Sequence, residues 1–440
     1  MAPLLSSTLA PRPIASLHRI GILCAILIAS CLVSAGRAET ATPPESEHTN
    51  WPRFRGPGGN AWTTEADFPV TCDVKSGANV AWSAPVPAAG FGSPIIWGDR
   101  VFLSGESNGT GQVLCFDTAT GKLLWQQAAP KPEGAPEEAA EIPDQSGLAA
   151  GTPATDGQRV YAMFANGDMV AFNVDGKLAW AKHLGVPKNP YGHATSLITW
   201  KDRVIVQFDQ GDLDDHLSKL YALDGATGKV VWETPRPVGA SWATPLVAET
   251  GGQPELITLG LPLVAAYNPA DGKEIWRASC LDGEVTPSPI YVGGTLYVIS
   301  PTTKLQIIRP DGHGDVTKTH LGWVAEDNIP DVTSPVSNGE FVYLANTDGT
   351  FTCYNAKSGK KEWEQDLNDE CKASPSIAGP NIYVITKKGT MITMEAGAEF
   401  KEVGRSALGE QVYASPAFAK GKIFVRGLKH LICLEVGKHL

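Results

Sequence analysis

Cys115-Phe116-Asp117-Thr118-Ala119-Thr120-Gly121-Lys122-Leu123-Leu124-Trp125 is the stretch on which the reading of this chain turns. A small residue, an apolar one and an acid end one apolar run, Gly-Lys makes a turn, and a tryptophan follows in the next run. The same order returns at Ala171-Phe172-Asn173, Ala222-Leu223-Asp224, Ala266-Tyr267-Asn268 and Cys353-Tyr354-Asn355, with Gly-Lys-x-x-Trp ending at Trp180, Trp232, Trp276 and Trp363. With Trp82 and Trp323 included, the tryptophans follow one another at 43, 55, 52, 44, 47 and 40 residues. A period in the forties is that of a four-stranded propeller blade.

A second marker runs in phase with the first. Ser93-Pro94, Thr152-Pro153, Thr244-Pro245, Ser288-Pro289, Ser334-Pro335, Ser374-Pro375 and Ser415-Pro416 each open an apolar strand, and Thr195-Ser196 fills the remaining slot. Eight openings predict eight blades. After each comes a turn and a strand rich in β-branched and aromatic residues, such as Val-Gly-Gly-Thr-Leu-Tyr-Val-Ile-Ser at 292–300. Asp or Asn at the third strand's end can accept backbone N–H groups across the turn, and Gly supplies positive φ there. The Ala or Cys is expected to leave room for a ring from a neighbouring blade. The periodic Trp82, Trp125, Trp180, Trp232, Trp276, Trp323 and Trp363 are therefore read as structural packing, not as a ligand cage.

The order of the pieces also predicts closure. The strands after Ser415-Pro416 end near Leu434 with no tryptophan strand, while the strand around Trp82 precedes the first opening and lacks a blade of its own. The N-terminal strand should complete the eighth blade and leave no open edge. The expected organisation is a signal peptide at 1–38, an extension at 39–78 and one eight-bladed, all-β propeller at 79–440.

Residues 1–38 carry Arg12, His18 and Arg19 ahead of the apolar run Ile20 to Val33, with small residues up to Ala38, the order of a secretory signal. Two other readings stay open: a short uncleaved anchor, and a lipobox at Ile28-Ala29-Ser30-Cys31 that would lipidate Cys31 and make an outer-membrane lipoprotein. The whole chain has 440 residues and a net charge of −11; loss of three arginines and no acids with the signal would make it −14. That balance argues against nucleic acid as a partner. The 46 glycines and 33 prolines are too dense for long helices, while 42% hydrophobic residues suffice for a large core.

The repeat resembles the tryptophan-docking motif of pyrroloquinoline-quinone (PQQ)-like β-propellers over roughly residues 51 to 436. The opening Trp51-Pro52-Arg53-Phe54-Arg55-Gly56-Pro57 is similar to the start of a secreted bacterial branch of that family. The resemblance implies two competing functions, those of the quinoprotein alcohol dehydrogenases and of BamB, the lipoprotein of the outer-membrane barrel assembly machinery. The dehydrogenases share adjacent cysteines, a Glu/Asn/Asp calcium site and often a Cys-x-x-Cys-His haem segment. This sequence has neither cysteine motif. No cofactor or metal is expected, and PQQ with calcium is disfavoured.

Among local motifs, Gly105-Glu106-Ser107-Asn108-Gly109 matches the nucleophile-elbow pattern but falls in a hairpin with no helix behind it. The run Asp209-Gln210-Gly211-Asp212-Leu213-Asp214-Asp215 lacks calcium-loop spacing and reads as a solvated acidic loop. Cys115, Cys353 and Cys433 occupy the small packing position; Cys72, Cys280 and Cys371 allow at most one disulfide. Innermost propeller strands begin at one mouth of the central channel, so the residues just before the openings are the candidates for ligand or partner binding: Phe91, Tyr191, His193, Trp242, Glu284, Asp331, Lys372 and Tyr413. His193 is the one acid/base candidate among them. The Pro/Glu/Ala-rich insertion from Ala128 to Gln145 reads as a surface loop or as a lid and partner contact. The expected function is that of a monomeric, exported, non-catalytic scaffold, periplasmic or secreted, that binds envelope proteins or peptides. The alternative is a small-ligand binder or enzyme using the central funnel, with a PQQ-dependent dehydrogenase as the minor case.

Overall fold

A computed structural model describes residues 49–138, 140–143 and 146–440. The expected signal segment, the Cys31 anchor and part of the insertion lie outside the described residues. The described chain is all-β, with two short 3-10 turns and eight sheets of four or five strands. Blade 1 shows the plan: Ile95–Trp97, Arg100–Ser107, Thr110–Asp117 and Leu123–Ala128 pair antiparallel in sequence order from the channel outward. Blades 2 to 7 follow at 154–183, 198–235, 246–279, 290–325, 336–366 and 376–407. The eighth joins Ala417–Ala419, Lys422–Arg426 and His430–His439 to Ala78–Pro85, which pairs antiparallel with the last strand. The N-terminal strand thus closes the ring.

The repeat's chemistry is set at the seams between blades. Trp82, Trp125, Trp180, Trp323 and Trp363 each donate their indole N–H to a carbonyl of the following blade, Trp180 to Gly225 at 2.9 Å, and Trp232 does the same to Pro269. The ring also lies flat against the glycine of the next Gly-Lys turn: a Cβ on Gly121, Gly228 or Gly359 would stand 2.5 to 2.7 Å from the indole of Trp82, Trp180 or Trp323. The glycine therefore serves two ends, positive φ and clearance for the ring. Asp117 accepts the Thr120 hydroxyl and the N–H groups of Ala119 and Thr120, which hold its carboxyl below the usual range.

Two expectations change. The Ala or Cys sits directly opposite the tryptophan of its own blade, as in Cys115 with Trp125 and Ala222 with Trp232, so it leaves room for that ring beside rings of the next blade such as Phe172 and Tyr267. Trp276 departs from the pattern because the next blade has no Gly-Lys turn. There Gly314–Asp315 pairs parallel to Trp276 and Arg277, and the fully buried indole donates to the Glu255 carboxylate at 2.8 Å instead.

Blade 7 has no tryptophan, and Gly404 takes the corresponding place opposite Thr393. The N-terminal extension covers it: the Val70 carbonyl lies 2.1 Å from where a Gly404 Cβ would be, and Cys72 N–H donates to Ser406. Phe68 meets Phe418 edge-on at 5.2 Å, so the seam between blades 7 and 8 is filled by the extension.

Candidate functional site

The Ser/Thr openings line up in space as a ring of hydrogen bonds. Ser93 N–H donates to the Thr152 hydroxyl, Thr152 to Ser196, Ser196 to Thr244, Thr244 to Ser288, Ser288 to Ser334, Ser334 to Ser374, Ser374 to Ser415, and Ser415 back to Ser93. Each distance is between 2.9 and 3.1 Å. The inner strands present an unpaired edge to the channel, and a hydroxyl from the next blade satisfies the first N–H of each. Proline in the following position then removes the next donor. Where proline is missing, Leu197 N–H finds the Thr152 carbonyl at 3.4 Å.

Above this ring opens a cavity of about 960 Å³. All eight ring hydroxyls line it, and so does the residue two positions before each: Phe91, Ala150, Ala194, Trp242, Thr286, Val332, Lys372 and Tyr413. Alternation along an extended chain puts residues two apart on one face, which was the signal available in the sequence for Ala150, Ala194, Thr286 and Val332. Tyr191, Glu284 and Asp331 reach the cavity from farther along their loops.

Of the eight expected mouth residues, His193 alone is turned away. It is 4% exposed, stacked on Phe208 at 5.6 Å, and burial pushes its imidazole down to about 4. It is a neutral packing residue behind the wall, not an acid/base group at the mouth. The other seven form two arcs. Phe91 with Tyr413 (5.1 Å between rings) and Tyr191 with Trp242 (5.3 Å) make the aromatic arc, while Glu284, Asp331 and Lys372 follow one another on blades 5, 6 and 7. Asp331 accepts the Thr347 hydroxyl. Ser146 brings the end of the insertion to the same rim, and Gly147 packs near Phe91.

The opposite end of the channel is stopped by the Trp51 to Thr63 segment. Trp51 exchanges both backbone hydrogen bonds with Ile96, and the Pro52 carbonyl accepts Thr155 N–H. Arg53 and Arg55 donate to the carbonyls of Pro245 and Pro335, and Asn60 makes a paired contact with the backbone of Tyr291. Trp62–Thr63 adds a parallel strand to blade 7. Phe54 forms part of the cavity floor.

The remaining motifs find other uses. Ser107, Asn108 (φ 51°) and Gly109 (φ 72°) lie in the tight turn of a hairpin. The acidic run is only partly solvated: Asp215 pairs with Lys188, whereas Asp209 is buried and accepts from Arg236, Ser241 and Gln207. Burial pushes the Asp209 carboxyl above its usual range, and the Arg236 guanidinium with the Ser241 and Gln207 donors works in the opposite direction. The six cysteines of the described residues are free thiols, five of them buried. Among the described residues no three His, Cys, Asp or Glu side chains converge as a metal site. Glu284, Asp331 and Lys372 are the charged side chains of the described cavity lining.

Comparison with known proteins fits this geometry. A family model described as "Outer membrane protein assembly factor BamB" matches residues 58–254, 219–331 and 262–399. The chain belongs to this BamB-type family of PQQ-like propellers. The Bordetella pertussis outer membrane protein assembly factor BamB is 22% identical over 322 residues, 69% of this chain and 72% of that protein. A polyvinylalcohol dehydrogenase of Sphingopyxis sp. (strain 113P3) is 28% identical over 232 residues, 43% of this chain, which spans only 33% of that enzyme's length. The crystal structure of BamB from Moraxella catarrhalis superposes with a TM-score of 0.62 at 16% identity, covering 82% of this chain and 98% of that one, a likeness of fold.

Proposed function

We propose that the chain is an exported, non-catalytic propeller that works as an interaction scaffold at the cell envelope and holds an extended segment of a protein partner in the mouth of its funnel. The observation that carries the reading is the rim: two aromatic pairs on one arc and Glu284, Asp331 and Lys372 on the other, all on loops, above a funnel stopped at its far end. Aromatic rings flanked by charge suit peptide side chains, and the adjacent carboxylates favour basic ones. BamB-type relatives, named as assembly factors of the outer membrane, support an envelope location and protein partners. Among the described residues no helix is long and apolar enough to cross a membrane.

The likeness to a dehydrogenase and the cavity of about 960 Å³ support a second, small-ligand reading, and one experiment separates the two. A photo-crosslinking residue at position 191 should capture a discrete envelope protein, and Tyr191→Ala with Tyr413→Ala should abolish capture by a crosslinker placed at position 284 without changing the melting temperature. A saturable thermal shift with PQQ and calcium, lost in Trp242→Ala, would replace the scaffold reading with the enzymatic one.

A further inference from the structure

The plug contains a feature that its structural role leaves unexplained. Arg53 and Arg55 are 8% and 1% exposed and are brought against one residue, Gly59: a Cβ there would be 3.0 Å from an Arg53 nitrogen, while Arg55 Nε donates to the Gly59 carbonyl at 3.2 Å. Their other bonds go to the neutral carbonyls of Pro245 and Pro335. Among the described residues no carboxylate pairs with either guanidinium, and Arg53 Nε and Arg55 Nη1 are buried without a partner. Buried Arg236, by contrast, has Asp209, and buried Arg426 donates to three carbonyls.

Two adjacent cations taken from water without a counter-charge are costly, and a planar fork of N–H donors matches oxyanions. Burial lowers both groups to about 9, and Arg53 adds its repulsion to Arg55. Only Phe54, between them in sequence, faces the cavity. We infer that Arg53 and Arg55 form an anion site within the plug, holding one small oxyanion, inorganic or carboxylate, on the unpartnered Arg53 Nε and Arg55 Nη1 as a resident counter-ion.

The test uses the intact chain, dialysed exhaustively into chloride buffer. One portion is denatured and the released anions are measured by ion chromatography; another is titrated calorimetrically with phosphate, sulfate and acetate at constant ionic strength. About one equivalent of phosphate, sulfate or a carboxylate should be released, or one of the three probes should bind one to one, which also tells the inorganic from the carboxylate source. Arg53→Gln should release none and weaken binding about tenfold or more. If that variant does not fold, Arg53→Lys, which keeps the charge and loses the fork, should weaken binding while keeping a cooperative melt. Neither release nor binding above the chloride background in the native protein, or binding undiminished in the folded variant, would overturn the site.

Discussion

The contact between Trp180 and Gly228 permits the most direct test of how the blades hold together. Gly228→Ala has two separable effects. At φ +67° an alanine pays left-handed strain of about 1–2 kcal/mol. Its Cβ would also stand 2.7 Å from Trp180 Cδ2, so the indole must leave the turn and its 2.9 Å bond to Gly225, which adds about 1–3 kcal/mol of overpacking. The total is roughly 2–5 kcal/mol. Gly109→Ala is the control, because its φ is +72° and nothing lies within 4 Å of the added Cβ, leaving strain alone. Urea unfolding followed by far-UV circular dichroism should show Gly228→Ala to be clearly more destabilising than Gly109→Ala. In a Trp180→Leu background the two should become equal, since the ring that made the difference is gone. The reasoning fails if Gly228→Ala is no worse than Gly109→Ala in the native protein, or if its excess survives the loss of the indole.

Two further outcomes follow from the channel. Ser374→Ala removes the acceptor of the buried Ser334 N–H and should cost about 1–3 kcal/mol in the same unfolding assay, whereas Ser374→Thr, which keeps the hydroxyl, should stay near the native value. His193 is held neutral by burial, so its folded value of about 4 lies below the unfolded 6.5 and the unfolded chain binds the extra proton. Its contribution is present above pH 6.5 and is lost as pH falls towards 4; between pH 7 and 5 the loss is about 2 kcal/mol. His193→Leu should flatten that limb of the stability profile, and an unchanged slope would show that the imidazole is not the group responsible.

What could be read in the sequence was what each blade repeats locally. Asp117, Gly121 and Trp125 lie within one turn and two strands, so their spacing carries the blade plan, and counting openings against tryptophans places the strand around Trp82 in the last blade. The partner of each repeated group was not legible, because it comes from the adjacent blade, far off in sequence: Ser93 needs Thr152, 59 residues away, Trp180 needs Gly225, 45 away, and even the shortest tryptophan hydrogen bond between blades, Trp323 to Ala356, spans 33. The misplacement of His193 has the same origin. Its nearness to the Ser196 opening suggested the mouth, and Asp331 at the same offset from Ser334 does reach the cavity, but the His193 ring stacks on Phe208 and its backbone N–H donates to Ala165 of the preceding blade, partners that no local spacing announces.

The plug is the extreme case. Trp51 to Asn60 has no period, and Arg53 and Arg55 meet carbonyls 192 and 280 residues away on blades 4 and 6. Nothing in a linear pattern could pair them. Yet the plug ties blades 1, 2, 4, 5, 6 and 7 to a segment that runs directly into the closing strand, so the ring is fastened at its axis as well as at its rim. The two fastenings share one stretch of chain, and the seam without a tryptophan, between blades 7 and 8, is the one which that stretch crosses and fills with Phe68 and Cys72. Loss of the extension should therefore open this seam first, because the other seams for which a tryptophan contact is described hold that contact within the blades themselves.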